Sequence, residues 1–323
     1  MRIKTFDPMS MATADVMVRA LRTESIRLGD KDVDTTVLSM DVQGMRVHSW
    51  IDADGQLLRQ ETPFGWSMEA CSADEALKAD LSQAGESDLI RRMAVPCAGE
   101  IREPRACRRL TVKLKGWNQP PGDLQTDRQR VTGSDPSGVT LEIRASKKPV
   151  SVSTGVEIPE AVRPFLAATP FVQSNHADIK RRAREITSDS ANALEAALAI
   201  HRWVYRKVVK DPAVSLPSAL DVLKQMKGDC NEHTYLYVAL ARAAGIPAQI
   251  RVGLVYVDGV FMFHAWPAVY VGEWYELDPT IGQDEVDATH LGLLEGELGS
   301  QMKLMGMVGQ LSVEKIAEGY DDE

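Results

Sequence analysis

The stretch MKGDCNEHTYLYVALARAAGIPA, residues 226–248, sets one cysteine, Cys230, directly after Gly228-Asp229 and at the head of an apolar-faced helix. Leu236, Ala239, Leu240, Ala243 and Ala244 recur at helical spacing and make one stripe for burial. Asp229 is an N-cap candidate, Gly245 a C-cap candidate, and Pro247 stops the helix. Cys230 therefore falls in the first turn, where unpaired amides and the positive end of the helix dipole favour an anion. Its own amide is placed to face a developing oxyanion. A lone cysteine is most simply a small buried hydrophobe. A nucleophile needs partners elsewhere in the chain.

Those partners follow in AQIRVGLVYVDGVFMFHAWPAVYVGEWYELDPT, residues 248–280. It reads as three antiparallel strands, with Asp258-Gly259 at the first turn and Gly272-Glu273 at the second. His264 lies on the middle strand and Asp278 ends the third. A thiol at a helix end, an imidazole on a strand and a carboxylate on the neighbouring strand are the parts of a Cys-His-Asp triad. In that reading His264 takes the proton of Cys230, and Asp278 holds the imidazole in place. Strand parity makes a further demand, because successive residues face opposite ways. A two-residue second turn would pair Val271 with Trp274 and turn His264 away from Asp278. A three-residue loop, Val271-Gly272-Glu273, pairs Tyr270 with Trp274 and sets Asp278 opposite Trp266, diagonal to His264 on one face. That loop, or an equivalent bulge, is expected.

With these residues in view, the chain resembles the transglutaminase-like superfamily, whose core is shared in outline with papain-like cysteine peptidases. GDCNEHTYLYVALARAAGIPA, FHAWPAVYV and WYELDPT carry the resemblance, and DATHLGLLEG, residues 287–296, resembles the segment that follows the core in bacterial members. It is strongest over 195–296. The resemblance implies an α+β fold, with the nucleophile helix packed on an antiparallel sheet. It also implies a thioester formed by Cys230 on an amide carbonyl, of a glutamine side chain or a peptide bond, and resolved by an amine or water. The family's second oxyanion donor is usually an upstream side chain, often aromatic, which makes Trp203 in IHRWVYRKVV the candidate; its plain alternative is a core tryptophan.

Other readings stay open. A cysteine peptidase or amidase is the alternative to a cross-linking transferase. A non-catalytic binding or assembly module is the alternative to both, although such modules usually lack a triad member and none is missing here. Cys230, His233, His264 and Asp278 also resemble a zinc set, but each already has a place: His233 and Trp266 are candidates for packing against the triad. Glu232 is read as a charge at the helix dipole. His48, His176 and His201 belong to no constellation, and His290 is read as a packing residue near the site. No acidic calcium loop is found, so neither metal nor cofactor is expected.

The remainder of the chain sets bounds. At 323 residues and 44% hydrophobic, it can bury sizeable cores. The net charge of −9 argues against nucleic acid or an anionic membrane as the main partner, and the resemblance implies a protein or peptide substrate. The basic runs at 180–184 and 102–109 are read as solvated faces. Four cysteines make no disulfide scaffold, and Cys97 with Cys107 is left open as a pair. No run reaches transmembrane length. The opening MRIKTFDPMS has no signal-peptide character, so the expected location is cytoplasmic, or the cell envelope or periplasm if a leader has been removed. Three segments are expected: a β-rich domain over 1–85, a sandwich-like β region over 86–157, and the catalytic domain over 158–323. Hairpin signals at Asp54-Gly55, alternation in RRLTVKLKGW and GVTLEIRAS, and a helical period from about 158 mark them.

Overall fold

The computed structural model describes residues 1–7, 12–42, 45–61, 67–78, 94–149, 157–211 and 218–321. Its contacts gather into two units, Met1–Ala94 with Leu298–Gln310, and Val95–Glu297 with Leu311–Glu323. The boundary expected at 85/86 lies outside the described residues. No helix among the described residues is long and apolar enough to cross a membrane.

The first unit is a six-stranded antiparallel sheet in chain order: β1 (Arg2–Asp7), β2 (Ala12–Leu28), β3 (Lys31–Val42), β4 (Met45–Ile51), β5 (Leu57–Glu61) and β6 (Ser67–Glu69). Helix α1 (Ala73–Lys78) follows, capped where the Ser72 hydroxyl accepts from the Glu75 amide. Ile26, Val37 and Trp50 form a small core, with Leu28 and Leu58 against it.

The second unit holds a nine-stranded sheet. Its first strands are β7 (Val95–Ala98), β8 (Arg109–Lys115), β9 (Gln129–Asp135) and β10 (Gly138–Arg144). Alternation buries Leu110, Val112 and Leu114 on β8, and Val139, Leu141 and Ile143 on β10, each worth about 1.5–3 kcal/mol of transfer free energy. The helical segment follows: α2 (Ala177–Thr187), α3 (Ala193–Lys207), the short β11 (Val209–Lys210), α4 (Ala219–Gln225), the short β12 (Lys227–Gly228) and α5 (Cys230–Ala243). Asn192 and Ser218 cap α3 and α4. Then come β13 (Ala248–Val257), β14 (Val260–Tyr270), β15 (Trp274–Glu276) and β16 (Leu291–Glu295); α6 (Leu298–Met305) belongs to the first unit, and β17 (Ser312–Gly319) returns to the second.

The sheet order is β16-β13-β14-β7-β17-β8-β10-β9, with β15 on β14. Strands before residue 158 and strands after it therefore share one hydrogen-bonded layer, joined where β7 pairs with β14 and β17 lies between β7 and β8. Helix α5 packs on β13 and β14, and α2, α3 and α4 cover its outer side. Residues Glu232 to Ala241 are all buried, so the single stripe read from the sequence is a helix buried all round. Strand β13 is buried on both faces from Ala248 to Tyr256, its polar Gln249 and Arg251 included.

Candidate active site

Cys230 opens α5, and its placement starts two residues earlier. The parallel bridge of β11 with β12 pairs Lys210 with Gly228 and fixes the chain entering the helix. Asp229 is the N-cap: its carboxylate accepts from the Asn231 amide at 2.8 Å, while Glu232 folds back to accept from the Asp229 amide at 2.9 Å. That return needs glycine at 228, where φ is +152° and a Cβ would stand 2.2 Å from Glu232 Cβ. Two carboxylates thus share the start of the nucleophile helix. Burial and the neighbouring Glu232 push Asp229 up to about 7.

His264 is buried on β14, opposite Gly253. A Cβ at Gly253 would meet the Leu291 carbonyl oxygen at 2.1 Å and Trp266 Cη2 at 3.0 Å, so glycine lets Trp266 lie close. The Trp266 ring stacks beside His264, with centroids 6.0 Å apart and planes at 19°. Its indole N–H donates to Glu276 Oε2 at 2.8 Å.

Asp278 reaches the same face because the second loop has three residues. Tyr270 pairs with Trp274, and Gly272 supplies φ +106°. Asp278 is fully buried, and each of its oxygens is engaged. Oδ1 accepts from the amides of Thr280 at 2.7 Å and Ile281 at 3.3 Å. Oδ2 stands 2.6 Å from His264 Nε2 and 3.2 Å from His290 Nε2. His264 Nε2 being taken by Asp278, its Nδ1 is the atom left for the Cys230 thiol, which lies near enough to help raise the imidazole. Burial pushes His264 down, but the Asp278 charge and hydrogen bond, with Cys230, outweigh it and raise His264 to about 9. Burial likewise pushes Asp278 up, and His264 and His290 together hold it well below the usual carboxylate range.

The residues expected at the site fall in three groups. Cys230, His264 and Asp278 come together. His233 and Trp266 lie beside them. His233 Nδ1 donates to the Asp229 carbonyl at 2.6 Å, and burial lowers its pKa. Trp203 does not join them. On α3, the His201 ring turns toward the site, its Nε2 donating to the Asp278 carbonyl at 3.0 Å. A side chain two residues further along a helix points to nearly the opposite side, and Trp203 lies there, under the Arg182 guanidinium at 5.3 Å. The aromatic residue on the His201 face is Tyr205, four residues on, whose ring lies where a Cβ on Gly282 would be, 2.7 Å from Cζ. Helical phase from His201 is the signal that favours Tyr205 over Trp203.

His201, which the sequence joined to no constellation, and His290, read as packing near the site, both lie on Asp278. His290 Nδ1 stands 3.4 Å from Asp287 Oδ1, and Asp287 Oδ2 accepts from Arg105 at 2.7 Å. His264, Asp278 and His290 present donor atoms within 4.8 Å of one another. The 2.6 Å separation of His264 Nε2 and Asp278 Oδ2 is a hydrogen-bond length. It is shorter than the spacing of two ligands each about 2.0–2.2 Å from a tetrahedral zinc. The four cysteines are free thiols, so Cys97 and Cys107 are unpaired. Burial pushes Cys107 up to about 11 and also raises Cys97.

Residues 180–279 match the profile of the transglutaminase-like superfamily, and this part of the chain carries that core. The chain is 34% identical over 98 residues to an uncharacterised protein of Haemophilus influenzae, covering 29% of this chain and 26% of that protein. It is 25% identical over 144 residues to an uncharacterised protein of Mycobacterium leprae, covering 36% and 51%. The chain thus spans about a quarter and about half of the curated relatives it matches. Among solved structures, a candidate cysteine protease from Cytophaga hutchinsonii is 18% identical with a TM-score of 0.47, covering 65% of this chain and 86% of that one. The periplasmic domain of TgpA from Pseudomonas aeruginosa is 13% identical with a TM-score of 0.36, covering 55% and 88%.

Proposed function

We propose that this chain is a cysteine-dependent acyltransferase or amide hydrolase acting on a protein or peptide. Cys230 is the nucleophile, His264 the proton carrier and Asp278 the residue that orients it. Cys230 delivers its proton to His264, and the thiolate attacks the amide carbonyl carbon. The C–S bond forms as the carbonyl electrons move to oxygen. The Cys230 amide, which has no helical carbonyl to bond at the first position of α5, is the oxyanion donor. Tyr205, exposed on the His201 side of α3, is the aromatic candidate in place of Trp203. Imidazolium His264 gives its proton to the amide nitrogen, the C–N bond breaks, and ammonia or an amine leaves a thioester. Water or a second amine, losing a proton to His264, then attacks the thioester and returns the thiolate.

The observation that supports this most is the wholly buried 2.6 Å contact of His264 with Asp278, on the strand beside the cysteine helix. Burial strengthens the hold of the carboxylate on the imidazole, as a proton carrier requires. The test is labelling with glutamine-peptide and amine probes, read by mass spectrometry. The expected result is an acyl adduct on Cys230, absent in Cys230→Ala, with water or the amine as acceptor deciding between hydrolysis and transfer. Asp278→Asn should lower turnover about 10⁴-fold, by analogy with loss of the orienting carboxylate in serine proteases. An unlabelled Cys230 in folded protein would favour a binding or assembly module instead.

A further inference from the structure

We infer that His290 is a second imidazolium that positions Asp278 and, through it, sets the pH at which His264 gives up its proton. This rests on the triad reading above but concerns a residue outside the triad.

The argument begins with what the His290 ring faces. Nε2 stands 3.2 Å from Asp278 Oδ2 and Nδ1 stands 3.4 Å from Asp287 Oδ1. Both neighbours are carboxylate oxygens, which only accept. A neutral imidazole carries one N–H and would turn the lone pair of its other nitrogen onto one of them. The ring is fully buried, so that repulsion would be poorly screened. With a proton on each nitrogen, both contacts become charge-assisted hydrogen bonds.

The surrounding charges agree. From the far side inward they run Arg105, Asp287, His290, Asp278, His264, Cys230. The links are 2.7 Å for Arg105 to Asp287, then the two His290 contacts, then 2.6 Å for Asp278 to His264. A cationic His290 makes the signs alternate from Arg105 to His264. A neutral His290 would leave two buried carboxylates facing one ring, a costly arrangement. The other groups packed on His290 do not change this. The His264 and Trp266 rings meet it edge-on at 5.8 and 5.1 Å. Arg128 donates to the His290 carbonyl and is itself paired with Glu276. Burial pushes the His290 pKa down, and Asp287 and Asp278 more than reverse it.

The consequence concerns Asp278. Its Oδ2 is shared by two imidazolium donors, so neither holds its full charge. His290 fixes the carboxylate between the two rings and also repels the proton on His264 across 5.8 Å. It thereby keeps His264 able to release a proton to a leaving group.

The decisive measurement is long-range ¹H–¹⁵N correlation NMR on the intact ¹⁵N-histidine-labelled protein, with His290 assigned by its loss in His290→Gln. The inference expects both His290 ring nitrogens at protonated shifts at pH 7. One bare nitrogen would overturn it. That readout needs no substrate, so it stands or falls apart from the activity of Cys230. In the second arm, His290→Gln keeps a donor for Asp278 and removes the positive charge. The alkaline limb of kcat/KM should then move up by about one pH unit. A rate lowered equally at every pH, with the limb unmoved, would mean that His290 only packs.

Discussion

At the scale of single residues, the site is governed by how one carboxylate is surrounded. Asp278 receives two backbone amides and two imidazoles while fully buried. Its partner His264 is raised from an ordinary 6.5 to about 9, against the downward push of burial. A group raised in the folded state contributes stability that is complete below its unfolded value and lost as pH climbs through the folded one. Both stability and amide turnover should therefore decline as pH rises through about 9, turnover by about tenfold per unit beyond it, since the leaving nitrogen then lacks its proton. Scanning fluorimetry and a kcat/KM profile in the same buffers check this. Alkylation of Cys230 by iodoacetamide, which needs no proton donor, should not fall with turnover. Turnover still rising at pH 10 would remove His264 as the acid.

Among the elements, the start of α5 is the most demanding. Gly228→Ala would force a Cβ to 2.2 Å from Glu232 Cβ at a φ of +152° that side chains avoid. Losing the return of Glu232 and straining the backbone should destabilise the protein by roughly 2–4 kcal/mol. Cys230 should acylate more slowly even below the melting transition. Gly228→Ala combined with Glu232→Ala should recover little of the melting temperature, because alanine at 232 keeps the Cβ that the new side chain strikes. These local features are what a sequence shows well. The cap at Asp229, the apolar positions from Leu236 to Ala244, the turn at Asp258-Gly259 and the parity of the Gly272 loop are all set by neighbours within a few residues. The rest of the site is set at a distance. His201 and Asp278 are 77 residues apart and Arg105 and Asp287 are 182 apart, and no short-range period reports such meetings. Trp203 and Tyr205 are hard to tell apart in the sequence for a related reason. Composition points equally to Trp203 and Tyr205, and only the phase of α3 around His201 separates them.

At the scale of the whole second unit, one half-buried arginine spans the sheet. Arg128, just before β9, donates to Glu276 on β15 at 2.6 Å and to the Arg144 carbonyl at 3.0 Å, and its guanidinium lies 6.0 Å over Trp266. Glu276 also faces Arg251 at 3.3 Å. Burial alone would raise Glu276, but Arg128 and Arg251 lower it to about 2. Arg128→Ala leaves that carboxylate short of a partner and should cost about 3–5 kcal/mol. Chemical denaturation should still show one transition for this unit at a lower midpoint, with Cys230 labelling lost in step. An unchanged midpoint would mean that the strands before residue 158 and the catalytic strands do not depend on each other. The position of β17 has a consequence of another kind. This strand lies between β7 and β8, yet the ribosome makes it after every other strand of that sheet. Until Ser312–Gly319 has left the exit tunnel, the nascent sheet stays in two halves, each with an open edge. Assembly of the catalytic layer therefore waits for Ser312–Gly319, and a nascent chain stalled before residue 312 presents those edges to chaperones and to its own copies.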